Sequence, residues 1–238
     1  VATLAWNGYR HMEMYFGVSG SGRVVHTVNP RLHPEQIAWI MNHAEDQILC
    51  FDLTFLPLVQ AVHAKCPKVK KWVALCDADR LPQDSGVPGL VSYETWIGAQ
   101  SVDYAWPQFD ENTASSMCYT SGTTGHPKGV VYSHRSTWLH SQAACTSNAL
   151  GVGHDDTVLA IVPMFHANAW GLPYAAMMAG AQLLLPDRFL QAAPLVEMIE
   201  AVRPTMAGAV PTIWTDVLHY LRDNPGHDLS SLKMVACG

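Results

Sequence analysis

The sequence predicts an α/β fold of mostly parallel β-sheets flanked by helices, arranged as two sheet subdomains. Short apolar runs alternate with amphipathic stretches of helical period along nearly the whole chain, the pattern of strands that need helices on both faces. Glycine and proline punctuate the ends of those runs. The 238 residues are 49% hydrophobic and 14% charged, enough apolar material for a large core.

The elements follow in order. An apolar run from Val1 to Trp6 opens the chain, and Arg23 to Val28 reads as a strand. Pro34 stands where a first helical residue often does, and an amphipathic stretch continues to Ala44. Gln47 to Phe51 is a strand, Thr54 to Lys65 a helix and Lys71 to Cys76 a strand. Ala78 to Ser92, with Pro82, Gly86, Pro88 and Gly89, reads as a loop. The pattern breaks at 102–112, which predicts a soft boundary between subdomains. Ser116 to Tyr119 and Gly129 to Tyr132 are strands, and Ser133 can cap a helix to about Asn148. Then come a strand at Thr157 to Val162, a helix from Ala169 to Ala179 stopped by Gly180, and a strand at Ala181 to Leu185. Ala193 to Val202 is helical, Thr205 to Ala209 a strand, Pro211 to Arg222 a helix and Lys233 to Cys237 the last strand.

Composition narrows the function. A net charge of −6 leaves no basic footprint for nucleic acid or anionic lipid. The most apolar stretch, Gly171 to Pro186, is interrupted by Pro173 and Gly180 and is too short to span a bilayer. No signal-peptide pattern is present. Six cysteines lie scattered without a C-x-x-C pair, as reduced core residues of a cytoplasmic protein would. The histidines include no H-E-x-x-H metal motif. Both ends stop within apolar runs, so the sequence reads as a piece truncated on both sides.

The chemistry concentrates between Thr120 and Lys128, Thr-Ser-Gly-Thr-Thr-Gly-His-Pro-Lys, where four hydroxyls, two glycines and a lysine sit between two strands. Glycines let backbone N–H groups approach a polyphosphate, hydroxyls donate hydrogen bonds and lysine adds a point charge. The order differs from a Walker loop, because Pro127 precedes Lys128 and Gly129 follows it. A flexible Ser/Thr/Gly linker has similar composition. The Pro-Lys pair and the β-branched residues beyond it favour phosphate. In open α/β sheets ligands gather beyond the carboxyl ends of strands. The phosphate loop, Pro163-Met164-Phe165-His166, Val210-Pro211-Thr212 and Gly238 all occupy such places.

The string Tyr119 to Gly129 resembles the signature loop of the adenylate-forming superfamily, which includes acyl-CoA synthetases, peptide-synthetase adenylation domains and luciferases. The resemblance implies that Thr120, Ser121, Gly122, Thr123, Thr124, Gly125 and Lys128 hold the β- and γ-phosphates of ATP, with Thr120 beside Mg²⁺. Pro163 to Gly171 is similar to a second motif of that superfamily. It implies that His166 is the catalytic-site residue that orients the substrate carboxylate. Ala167, Asn168, Trp170 and Gly171 would border the acyl pocket with it, and Trp170 resembles a gate across a fatty-acid tunnel. Trp6-Asn7-Gly8, His26 to Arg31, Asn42 to Asp46 and Ala207 to Thr212 look like fatty-acyl-CoA synthetases as well.

Taken together, the resemblance covers residues 1–238 as part of the large N-terminal, AMP-binding domain. It implies a fatty-acid–CoA ligase using ATP, Mg²⁺ and CoA, and acting as a homodimer. The adenine- and ribose-binding segments and a C-terminal lid with the catalytic lysine would lie past Gly238. Two alternatives stay open at this point. One is another adenylate former, an aryl-CoA ligase or a peptide-synthetase adenylation domain; the other is a nucleotide-binding module without chemistry.

Overall fold

The structure, a computed structural model, describes residues 1–120 and 127–238. The chain forms two compact units: Val1–Trp6 with Arg10–Arg135, and Asn7–Tyr9 with Ser136–Gly238.

The first unit is built on a seven-stranded sheet. Its strands are β1 (Ala2–Leu4), β2 (Val25–Thr27), β3 (Ile48–Phe51), β4 (Lys71–Ala74), β5 (Val91–Ser92), β6 (Ala114–Thr120) and β7 (Lys128–Ser133), in the order β5-β4-β3-β1-β2-β6-β7. Neighbours run parallel except β6 and β7, which are antiparallel. Side chains alternate between faces along a strand, and here both faces are apolar. Leu49, Phe51, Trp72 and Ala74 enter one core with Ile37 and Met41 of α2 (Pro34–His43) and Val59 and Val62 of α3 (Leu56–Val62). Cys50 and Val73 enter the opposite core with Met14 of α1 (Tyr9–Gly20) and Tyr93 of α4 (Tyr93–Gly98).

Local chemistry explains the helix starts. Pro34 is the first residue of α2, where its missing N–H costs nothing. His33 caps it: its Nδ1 accepts from Glu35 N, while Gln36 Oε1 accepts from His33 N at 3.2 Å. The helix expected over 54–65 is shorter, because Pro57 starts the α-helical turns and 3-10 turns flank them at Leu53–Phe55 and His63–Lys65. Sequence reasoning did not assign α1 or α4. In α1 the buried residues His11, Met14, Tyr15 and Ser19 follow helical spacing. His11 Nδ1–H donates to Trp6 O at 2.9 Å, so Nε2 accepts from Thr3 Oγ1 at 2.9 Å. Burial without charge partners pushes its pKa down to about 4.

The division between units falls after Arg135 rather than in 102–112. That segment is irregular but docked: the Trp106 ring lies where a side chain on Gly20 would be, at 2.9 Å, and Phe109 lies 3.3 Å from the same point on Gly22. The chain then returns to the first sheet, where β6 pairs with β2.

The second unit holds a parallel sheet of β8 (Thr157–Ala160), β9 (Gln182–Leu184), β10 (Met206–Ala209) and β11 (Met234–Cys237), in the order β11-β10-β8-β9. Leu159, Ala207 and Ala209 pack on α7 (Ala192–Val202) and α8 (Pro211–Asp223). Val158 and Met206 face the other way, onto Leu172 and Ala176 of α6 (Leu172–Ala179). The helix α5 (His134–Ala144) precedes this sheet and ends earlier than Asn148. The helix expected from Ala169 begins only at Leu172, because the residues before it take left-handed backbone angles. Gly180, at φ 70°, terminates it as expected.

All six cysteines are free; Cys50, Cys66, Cys76 and Cys118 are buried, whereas Cys237 is exposed. No helix among the described residues is long and apolar enough to cross a membrane.

Candidate functional site

Two neighbourhoods carry the residues singled out by sequence, one in each unit. In the first, β6 and β7 form the stem of the phosphate loop. Their ladder pairs Tyr119 with Gly129 and Thr120 with Lys128, so the last rung sets an exposed hydroxyl directly across from an exposed ammonium. Thr120 Oγ1 lies 3.5 Å from Lys128 O, at the long limit of a hydrogen bond. Ser121, Gly122, Thr123, Thr124 and Gly125 lie outside the described residues.

Tyr119 roots this stem. Its hydroxyl shares a 2.6 Å hydrogen bond with His43 Nδ1, and its ring lies 5.2 Å from that of His26. Burial first, and the nearby Asp46 carboxylate second, push its phenol pKa up and keep the proton on. His26 Nδ1–H in turn donates to Asp46 Oδ2 at 2.6 Å, both side chains being buried. Gly129 has no room for a side chain that would not press on the Tyr119 ring, 3.2 Å away. The two exposed ends, Thr120 and Lys128, are therefore presented by a stem rooted through buried β6, whereas β7 is exposed from Lys128 to Val131.

A cleft of about 270 Å³ in the same unit is lined by Val1, Arg23, Val24, Asp46, Gln47 and Ile48, among others. These residues stand at the amino ends of β1, β2 and β3. Ligands of parallel sheets gather at the carboxyl ends, where Thr120 terminates β6.

In the second unit the chain leaves β8 through Ile161 to Phe165, all buried, and surfaces at His166, which is exposed. Asn7 holds that exit. Its Nδ2 donates to Ala160 O at 2.7 Å and Val162 O at 2.8 Å, and its Oδ1 accepts from Met164 N at 2.8 Å. A buried amide with its bonds made fixes a backbone in one course. The sequence signal for Asn7 was a polar residue closing an apolar run just before a glycine, which is too common to assign a role.

Beyond His166, Ala167–Gly171 forms one turn of left-handed backbone: φ is 45°, 49°, 51°, 55° and 68° in succession. Asn168, Ala169 and Gly171 are buried and Trp170 is half-buried. The indole crosses the carboxyl ends of two strands. It lies 3.7 Å from where a Gly208 side chain would begin and 3.3 Å from the same point on Gly238. Gly208 is in β10, and Gly238 follows β11, so within this unit the expected gathering beyond strand ends includes Trp170. At Gly171 the His140 ring takes the space a side chain would need: a Cβ there would sit 2.5 Å from His140 Cδ2. His140 Nε2–H donates to Trp170 O at 2.8 Å. No motif pointed to His140, because only the fold brings α5 against this turn.

A family model for AMP-binding enzymes matches residues 1–238. The chain belongs to the AMP-binding enzyme family. This AMP-binding enzyme chain is 50% identical over 240 residues to the 3-methylmercaptopropionyl-CoA ligase of Ruegeria lacuscaerulensis, covering 100% of the chain and 44% of that protein. It is 47% identical over 237 residues to the medium-chain-fatty-acid–CoA ligase of Ectopseudomonas oleovorans, covering 100% of the chain and 43% of that protein. Among solved structures, the anthranilate CoA ligase AuaEII in complex with anthranoyl-AMP superposes with a TM-score of 0.86 at 26% identity, over 99% of this chain and 44% of that one. The chain thus spans a little under half the length of the curated relatives it matches.

Proposed function

We propose that the enzyme carrying this chain is an acid–CoA ligase that forms AMP: ATP and a carboxylic acid give acyl-adenylate and pyrophosphate, and the thiol of CoA then displaces AMP. The observation that supports this most directly is the pairing of Thr120 with Lys128 at the mouth of a loop of phosphate-binding composition, in a chain of the AMP-binding family. The carboxylate oxygen attacks the α-phosphorus, the new O–P bond forms, and the bond to the bridging oxygen of pyrophosphate breaks. Charge builds on the leaving group. Lys128 would neutralise it, while Thr120, Ser121, Thr123 and Thr124 donate hydroxyls and Gly122 and Gly125 donate backbone N–H groups. Such catalysis is positioning and charge stabilisation.

His166, exposed just past the Asn7-held exit, would orient the carboxylate with no proton to remove, since a carboxylate is already ionised at neutral pH. Ala167, Asn168, Trp170 and Gly171 would line the acid side. The identities to a medium-chain-fatty-acid, a long-chain-fatty-acid and a 3-methylmercaptopropionyl-CoA ligase favour an aliphatic acid.

Among the described residues no group of three or more His, Cys, Asp or Glu is placed to hold a metal ion. That fits Mg²⁺ arriving with ATP, since this ion keeps its waters and binds mainly to phosphate oxygens; Thr120 offers one hydroxyl beside it. By resemblance, the chain is part of the large N-terminal domain, a C-terminal lid elsewhere in the whole protein supplies the catalytic lysine, and the enzyme is a cytoplasmic homodimer. Light scattering on the whole protein tests the dimer.

Acid-dependent exchange of radiolabelled pyrophosphate into ATP by the full-length enzyme, over a panel of aliphatic, aromatic and amino acids, tests the function. Exchange with aliphatic acids is expected. Exchange confined to aromatic or amino acids, or absent with every acid, overturns the reading.

A further inference from the structure

The left-handed turn Ala167–Gly171 needs an external hold. An L-residue in the left-handed helical region brings its Cβ too close to the following carbonyl oxygen, and four non-glycine residues stand there in succession. Backbone bonds run in and out of the turn, from Ala169 N to His166 O at 3.1 Å and from Leu172 N to Ala169 O. A strained segment of this kind persists only where its surroundings fix it.

The hold at the far end of the turn is His140. Its side chain makes two separate contacts there: Nε2–H donates to Trp170 O at 2.8 Å, and the ring covers the Cα of Gly171, with Cδ2 2.5 Å from where a side chain would begin. Trp170 therefore cannot change its backbone angles without breaking the bond to His140. Its indole is seated over Gly208 and Gly238, both without side chains. The backbone of Trp170 thus sets where the ring lies across the ends of β10 and β11.

We propose that His140 is a positioning residue for acid selection: by holding the Trp170 carbonyl in the left-handed turn, it sets the place of the indole and so the acids that fit beside it. The inference rests on the reading that Trp170 borders the acid site, and it adds a residue that touches neither acid nor nucleotide.

The test compares His140→Phe, which keeps a ring over Gly171 but has no N–H, with His140→Gln, whose amide can donate to the same carbonyl. Both are made in the full-length enzyme and assayed by pyrophosphate exchange on straight-chain acids from acetate to laurate. His140→Phe is expected to raise KM for the preferred acid about tenfold and shift the preferred length, with KM for ATP unchanged. His140→Gln is expected to restore the wild-type profile. A wild-type profile in a folded His140→Phe enzyme overturns the proposal, as does a shift that His140→Gln shares in full.

If neither variant folds, ¹⁵N NMR of histidine-labelled wild-type enzyme decides. A proton on His140 Nε2, protected from exchange, supports the hold, and a proton on Nδ1 alone overturns it. An enzyme inert toward every acid would sink the functional reading instead, and the NMR result would still judge the hold on the turn.

Discussion

In the β6–β7 stem, ladder hydrogen bonds in an ordinary antiparallel pair keep Thr120 opposite Lys128. In the Ala167–Gly171 turn, the backbone stands where an unsupported chain would not stay, and side chains distant in sequence keep it there. The stem can thus lose its functional side chains without losing its shape. The turn cannot lose its supports without losing both shape and site. Regular structure separates stability from function, whereas a tertiary-held turn couples them.

The largest expected effect probes that coupling. Asn7→Leu leaves Ala160 O, Val162 O and Met164 N without the partner that now joins them. At roughly 1–3 kcal/mol for each buried group left unpaired, partly relieved by relaxation, it should destabilise the protein by about 3–5 kcal/mol. Adenylation should fall with it. Urea denaturation of the full-length protein measures the first and pyrophosphate exchange the second; a stable, inactive Asn7→Leu enzyme would break the comparison.

Acid separates the two units next. His11, in the first unit, has a folded pKa of about 4 against an ordinary 6.5. Above pH 6.5 the imidazole is neutral in both states and stability is full. Between pH 6.5 and 4 the unfolded chain takes up a proton that the folded chain refuses, so stability drains by roughly 3 kcal/mol and then levels off. Hydrogen exchange should show protection in β1 and α1 fading over that window, and His11→Gln should flatten the slope. An unchanged slope in His11→Gln would assign the acid sensitivity elsewhere.

Lys128→Ala tests the opposite side of the comparison. A charge-assisted contact to phosphate contributes roughly 1.5–3 kcal/mol, so adenylation should slow about tenfold to a hundredfold. The denaturation midpoint should not move, because Lys128 is exposed. Wild-type adenylation in the folded variant would remove the phosphate assignment of the stem.

The smallest effect has the opposite sign. Ala167 is partly exposed, with φ at 45°. Replacing it with glycine removes the left-handed penalty at the cost of chain entropy. Ala167→Gly should therefore stabilise by about 0.5–1 kcal/mol in the same denaturation experiment. A loss of stability would show that the turn is not strained at this residue.

These contrasts also separate what was legible in the sequence from what was not. The strands of both sheets except β5, which lies in the stretch read as a loop, could be read because Leu49, Phe51, Trp72 and Leu159 sit in short apolar runs between glycines, prolines and charged helices. The stem could be read because a phosphate loop is composed of adjacent residues. α1 escaped assignment because its buried face includes His11 and Ser19, polar residues satisfied only by the fold. The left-handed turn escaped for a related reason. Ala167 to Trp170 have ordinary helix-forming or neutral propensities, and what overrides them, His140, lies about thirty residues upstream. The boundary read at 102–112 was a real break in pattern, but the contacts of Trp106 and Phe109 join it to the end of α1 and the turn beyond it.

Asn7 also bears on how the protein can be made and cut. Its contacts belong to the second unit, although the residues on either side of it in sequence, up to Trp6 and from Arg10, belong to the first. The partners of its side chain, Ala160, Val162 and Met164, are synthesised more than 150 residues later. During translation Asn7 must therefore wait for partners made long after it, and contacts of such sequence separation form late. For the same reason no single cut isolates the second sheet with its site-bearing loop. Residues 136–238 expressed alone would lack the amide that fixes the backbone at Met164, two residues before His166; supplying a peptide that carries Asn7 in trans should return order to that loop.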